Sequence, residues 1–225
     1  MLPSLLFSAF LFAGPLVATP TTTPATAAQA GMALPTPQFR RYGTAEGLPS
    51  SSVYTVVQAP DGVMWFGTKS GIASYDGVNF KVFRHVVGDS QSLFNNGISS
   101  LLFDRGGRLW AAGLEAGLNR YDERSNTFRH WGHDAADPAS MASDKAWSLA
   151  QTDDGSLWVG TASGLDRMRQ DGRGFDHIVV TGTRPEELGI VGSLFVDARG
   201  QLWVGSDNGI FRRDDAGDFH LIRPA

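Results

Sequence analysis

The sequence predicts an all-β fold: a β-propeller of four four-stranded antiparallel blades, set in an incomplete ring. Three observations carry that expectation. Four tryptophans, Trp65, Trp110, Trp158 and Trp203, recur 45, 48 and 45 residues apart, the spacing of a propeller blade. The same frame of residues surrounds each of them. Glycine is abundant, 27 of 225 residues, and aromatics make up 11%, a composition that suits many short strands joined by tight turns.

The frame converts into strands. Gly62, Gly107, Gly155 and Gly200 stand three residues before the tryptophan, and Val53, Ile98, Ala146 and Val191 stand twelve before it. Gly67, Gly160 and Gly205 follow it by two, with Ala112 in the second copy. Gly71, Gly117, Gly164 and Gly209 each precede an apolar residue, and each copy closes on Phe80, Phe128, Phe175 or Phe219. In the first copy, residues 53–59 are apolar on both parities and are expected to be buried on both faces. Pro60-Asp61-Gly62 turns the chain into a second strand over 64–68. Lys69-Ser70-Gly71 turns it into a third over 72–75. Asp76-Gly77 is a hairpin signal, and residues 80–83 form the outer strand. The blades are read as 53–85, 98–131, 145–180 and 191–223. The tryptophan is expected to wedge between neighbouring blades, because one twisted sheet cannot cover its own two faces.

Phe39-Arg40-Arg41-Tyr42 matches the outer strand of the other copies but has no strands before it. It is one strand more than four blades use. A surplus outer strand at the N-terminus predicts a further blade of three strands. The chain is then the N-terminal piece of a longer protein, with an open face at each end of the array. The start of the fourth copy departs from the usual Ser-Leu, with Arg184, Glu186 and Leu188 in its place.

No charged residue occurs before Arg40, and residues 2–17 are mostly apolar, though broken by Pro3 and Pro15. The run is short for a membrane span. Ala28-Gln29-Ala30 precedes Gly31 as an A-x-A site. Residues 1–30 are read as a signal peptide and 31–38 as a flexible, Pro-rich linker. The basic residues that open a signal are missing, which a misassigned start codon explains. Export places the body in the periplasm.

Composition excludes several functions. The net charge of -4 is scattered, with no basic stripe for nucleic acid and no polybasic patch for lipid. Membrane contact is expected only through a missing C-terminal part or an uncleaved N-terminus. The absence of cysteine rules out disulfides, thiolate chemistry and zinc sites that need Cys. The five histidines lack metalloprotease spacing and are expected on strand surfaces. Asp153-Asp154 and Asp214-Asp215 fall in turns, where aspartate stabilises the backbone. No catalytic residue, cofactor or metal ligand is assigned. Recognition remains. The longest inter-blade loops, 86–96 and 132–144, carry Asp89, His133, Asp134 and Asp137; Lys145 adjoins the second, and Trp131 and Trp147 flank it. Aromatics beside acids suit a small molecule, oligosaccharide or peptide. Packing is the competing account of the two tryptophans.

Gly47-Leu48-Pro49, Asp61-Gly62, Trp65-Phe66-Gly67-Thr68, Gly71-Ile72, Tyr75-Asp76-Gly77 and Phe80 together resemble the two-component regulator propeller repeat. The second copy adds Gly117-Leu118-Asn119-Arg120-Tyr121-Asp122, and the third adds Asp154-Gly155-Ser156-Leu157-Trp158-Val159-Gly160-Thr161. The resemblance runs from Phe39 to about Arg223. It implies the periplasmic, non-catalytic sensor domain of a bacterial hybrid histidine kinase or diguanylate cyclase, signalling as a dimer. Kinase or cyclase activity would belong to a longer parent chain. Two other readings stay open: a secreted propeller enzyme acting on glycans, a lyase or sialidase-like hydrolase, and a stand-alone protein-interaction scaffold.

Overall fold

The computed structural model describes residues 38–179 and 188–222. The expected signal peptide, all but the last residue of the linker, and Arg184 and Glu186 lie outside the described residues. Sixteen strands follow in order: β1 Val53–Gln58, β2 Met64–Thr68, β3 Gly71–Tyr75, β4 Phe80–Phe83, β5 Ile98–Phe103, β6 Leu109–Gly113, β7 Gly117–Asp122, β8 Thr127–Trp131, β9 Ala146–Gln151, β10 Leu157–Thr161, β11 Gly164–Met168, β12 Phe175–His177, β13 Val191–Val196, β14 Leu202–Ser206, β15 Gly209–Arg213 and β16 Phe219–Leu221. They form four separate four-stranded sheets, each an antiparallel meander in chain order. These are the four blades.

The β2–β3 and β6–β7 hairpins show why the frame glycines are there. Gly71 (φ 118°) and Gly117 (φ 52°) lie in the left-handed region, where a side chain is strained. A Cβ on either would also run into a carbonyl of the outer strand, that of Phe83 or Trp131. Their N–H groups reach the end of the next inter-blade loop, Gly71 to Asn96 O at 2.8 Å and Gly117 to Asp144 O at 2.9 Å.

Successive blades meet through their first strands: β1 packs on β5, β5 on β9, and β9 on β13. Each gap holds a separate apolar core. Trp65, Ile72 and Phe83 of blade 1 meet Ile98, Leu101, Leu109 and Phe128 of blade 2. Trp110 and Leu118 of blade 2 meet Ala146, Leu149, Val159 and Phe175 of blade 3. Trp158 and Leu165 of blade 3 meet Val191, Leu202, Val204 and Phe211 of blade 4. Each of these tryptophans thus lies on its blade's forward face, toward the next blade. Residues six before the tryptophan fix its indole: Nε1 donates to Asp104 Oδ2 (2.8 Å), Thr152 Oγ1 (2.9 Å) or Asp197 Oδ2 (2.9 Å) in blades 2 to 4. Blade 1 has Ala59 at that place.

The glycine two after the tryptophan is a packing key. A Cβ on Gly67 would stand 2.9 Å from Ile98 Cγ2 of the next blade, and one on Gly160 would stand 2.7 Å from Val191 Cγ1. Both distances are too short for real carbons. Blade 2 carries Ala112 instead, and the residue it meets in blade 3 is the smaller Ala146. A methyl gained on one side is a branched side chain given up on the other, as close packing demands.

One expectation fails at the blade 1 end. β1 is largely exposed, not buried on both faces: Val53, Tyr54 and Val56 all face solvent. Apolar parity marks a strand that can be buried, but a second blade must lie against it, and among the described residues nothing stands behind β1. Residues 39–42 form no strand and pair with none of the four sheets. Instead the Tyr42 ring packs against Tyr75 at 5.2 Å and Phe80 at 6.0 Å. It covers the outer part of blade 1's rear face. β13 and β1 do not pack together as consecutive first strands do, so the array is open.

Candidate functional site

Each meander has two ends. The inter-blade loops and the β2–β3 type hairpins share one rim; the β1–β2 and β3–β4 type turns share the other. The sequence-predicted residues fall mainly at the first rim, where the two long loops repeat one another. His85 Nδ1 bonds to Leu93 O and His133 Nδ1 to Met141 O, both at 2.7 Å. The N–H of His85 meets Asn96 Oδ1 at 2.8 Å, and that of His133 meets Asp144 Oδ1 at 2.6 Å. Asp89 Oδ1 accepts from Gln91 N and Asp137 Oδ1 from Ala139 N, each at 2.9 Å. Asp134 Oδ1 accepts from Ala136 N at 2.9 Å. These side chains hold the turns of the loops.

Each loop is also pinned to the third strand of the blade it leads into. Asn119 in β7 is fully buried and accepts from Phe94 N at 2.9 Å. At the same frame position in β11, buried Asp166 accepts from Ala142 N at 2.8 Å and meets His177 Nδ1 at 2.7 Å, while His177 Nε2 donates to Pro138 O at 3.1 Å. Burial pushes the Asp166 carboxyl up, against the opposing pull of the Ala142 N–H and of His177. The histidines are therefore not all bare strand-surface residues: His177 is tied to a buried acid, and His220 pairs with Asp214 at 2.7 Å. Burial, then the charge of His85, holds His130 below the usual imidazole range.

The seven predicted residues do not share one site. Asp89 lines a small hollow of about 250 Å³ at the outer strands of blades 1 and 2. Trp131 lines a larger cleft of about 400 Å³ between blades 2 and 3. His133, Asp134, Asp137, Lys145 and Trp147 line neither. Lys145 is exposed, and its ammonium has no hydrogen bond or ion pair among the described residues. Trp147 sits half-buried in the first strand of blade 3, with Nε1 buried and without an acceptor.

The larger cleft opens at the opposite rim, between the outer half of blade 2 and the β9–β10 and β11–β12 turns. It is lined by Asp104, Arg108, Trp110, Arg120, Arg129 and Trp131 on one side and by residues 154–157 and 168–172 on the other. Below it the blades are clamped. Arg105 N donates to Gln151 Oε1 at 2.8 Å, Arg105 Nη1 donates to Asp153 O at 2.9 Å, and its guanidinium pairs with the Asp153 carboxylate. The register Trp110↔Arg120↔Arg129 sets two arginines beside the tryptophan on the forward face. Arg120 stands 5.7 Å from the Trp110 ring centre and 5.9 Å from that of Trp131; Arg129 stands 4.7 Å from Trp131. Trp131 Nε1 and Arg129 Nη2 both donate to Gly172 O, at 3.2 and 3.3 Å. Sequence reasoning missed the two arginines, which are separated along the chain and become neighbours only through the β7–β8 register.

Comparison with known proteins finds a family likeness in two of these blades. The model for "two component regulator propeller" matches residues 47–70 and 140–163, which span the first two strands of blades 1 and 3 with the loop ends before them. Those two stretches of the chain match the two-component regulator propeller repeat. A curated relative of these repeats, Histidine kinase P4 of Formosa agariphila, is 36% identical over 55 residues, which is 24% of this chain and 4% of that protein. Among solved structures, the repeats superpose on the extracellular domain of a protein described as a hybrid two component system, BT3049 of B. thetaiotaomicron. The TM-score is 0.70 at 20% identity, over 82% of this chain and 26% of that one. Virginiamycin B lyase of Staphylococcus aureus (TM-score 0.59, 14% identity, 79% of this chain and 57% of that one) and a gluconolactonase of Xanthomonas campestris (0.54, 15%, 78% and 64%) share the fold. The chain thus spans about a quarter of the BT3049 domain and a far smaller part of the kinase.

Proposed function

We propose that this propeller is the ligand-sensing input module of a bacterial signal-transduction receptor and performs no chemistry itself. The repeat carries this reading: the matched family is that of two-component regulators. The architecture supports it. Separate inter-blade cores and pinned loops make a stiff array, and the cleft between blades 2 and 3 has the size of a small-molecule site. In this reading the chain works in the periplasm and the receptor signals as a dimer.

The test is a thermal-shift screen of the 225-residue chain against sugars, sugar acids and short peptides, with mass spectrometry of each mixture. The expected result is one compound class that raises the melting temperature saturably and is recovered unaltered, since a ligand bound only by the folded state must stabilise it. A compound converted to product would overturn the reading in favour of a propeller enzyme. A chain stabilised by no compound would overturn it in favour of a protein-interaction scaffold.

A further inference from the structure

Resting on the sensor reading, we propose that the cleft between blades 2 and 3 takes a small molecule bearing a carboxylate or sulfate group, held by Arg120 and Arg129. The argument begins with a comparison of equivalent rows. In blade 3 the residues that follow Trp158 across the sheet are Arg167 and Asp176, and they neutralise one another at 3.0 Å. In blade 2 the same row reads Trp110, Arg120, Arg129, so a second guanidinium stands where blade 3 has its acid.

Among the described residues no carboxylate of the cleft forms an ion pair with Arg120 or Arg129. Asp104 is saturated by four donors: Gly106 N and Arg108 N on Oδ1, Arg108 Nε and Trp110 Nε1 on Oδ2. Asp154 and Asp171 accept within their own turns. Neither Arg120 nor Arg129 has an ion pair among the described residues, Arg120 has no hydrogen bond, and Arg129 spends one N–H on Gly172 O. Arg108 lies on the same wall and is paired with Asp104, Nε to Oδ2 at 2.7 Å. Burial, then the charges of Arg108 and Arg129, holds Arg120 below its ordinary value, against the opposing pull of Asp122 and Asp104.

An oxyanion supplies what this wall lacks. Guanidinium forks pair with carboxylate or sulfate oxygens through parallel hydrogen bonds. Stacking on Trp110 and Trp131 orients the forks beforehand, which reduces the ordering cost of binding. The cleft volume of about 400 Å³ admits a molecule the size of one or two sugar rings. The site lies at the rim away from the inter-blade loops.

The experiment titrates the full chain with sodium glucuronate, sodium sulfate and glucose, following tryptophan indole signals by NMR and heats by calorimetry. Saturable binding of glucuronate or sulfate is expected, with shifts at Trp110 and Trp131 and no response to glucose. Glucuronate alone would assign a carboxylate ligand, sulfate alone a sulfate ester. R120Q and R129Q should each weaken binding about tenfold or more, the worth of a charged hydrogen bond. R173Q, outside the cleft, should not. R120K, with its charge kept, serves as the folding control. No saturable response to either oxyanion, or binding unimpaired in R120Q and R129Q, would overturn the proposal. An uncharged compound that stabilises the wild type and R120Q alike would defeat it while leaving the sensor reading intact.

Discussion

Blades 2 and 3 and blades 1 and 4 are built on one frame, yet they live in different surroundings. The apolar residue after the hairpin glycine is 0% exposed in blade 1 (Ile72) and in blade 2 (Leu118), 2% in blade 3 (Leu165) and 54% in blade 4 (Ile210). The residue that opens the first strand is 37% exposed in blade 1 (Val53) and 0% in the other three (Ile98, Ala146, Val191). Among the described residues, blade 4 lacks cover on its forward face, where Phe195 and Ile222 are also exposed, and blade 1 lacks it on the part of its rear face that Tyr42 does not reach. The difference teaches that a blade's sequence prepares a face for burial and only a neighbour completes it. Stability is then a sum of gap energies, as in other repeat arrays.

The largest test of that statement uses the frame tryptophans. Trp158→Ala empties a filled gap and is expected to cost about 3–5 kcal/mol; Trp203→Ala, on the uncovered face, should cost clearly less. Urea unfolding of both variants decides, and equal losses would refute the gap account. Next comes Leu165→Ala against Ile210→Ala. The first should cost about 2–5 kcal/mol, the second no more than about 0.5 kcal/mol, read as a shift of the same midpoint. If Ile210→Ala proves costly, blade 4's forward face is covered in solution.

The smallest expected effect is in pH dependence. Burial raises Asp104, and the bonds from Trp110 and Arg108 more than reverse this, leaving its carboxyl below the usual value. Its stabilisation is present above the unfolded pKa and is lost as pH falls through the folded one. Asp166 has the opposite sign: its contribution is complete below the unfolded value and is lost as pH rises through its raised folded value. Asp104→Asn should therefore flatten the acid limb of a stability profile, while Asp166→Asn should remove a decline on the rising side. Asp197→Asn in the exposed end blade should change the acid limb less than Asp104→Asn does.

The frame made the strands legible because its glycines and tryptophans answer local demands: a positive φ, a close approach, a wedge. What a neighbour decides was not legible. Residues 53–59 read as doubly buried because parity does not say whether another blade stands behind them. Phe39-Arg40-Arg41-Tyr42 read as a strand on the composition of an outer strand, a composition that does not name the blade it would join. The loop residues were chosen for their chemistry, yet His85, Asp89, Ser92 and Asn96 recur at the same offsets as His133, Asp137, Ser140 and Asp144, and such repetition marks a scaffold. The cleft arginines leave the reverse trace. Aligning the copies by register gives Ser74 and Lys81, Arg120 and Arg129, Arg167 and Asp176, Arg212 and His220, and only the second pair joins two arginines.

The packing key two residues after each tryptophan bears on how such a gene can change. Repeats of similar sequence invite unequal crossing-over, which deletes or adds whole copies. Losing blade 2 would set Gly67 against Ala146 and leave a hole where Ile98 had been. Losing blade 3 would press the methyl of Ala112 into Val191. Either recombinant would carry a misfitted joint, so deleting an inner copy costs packing at the new seam.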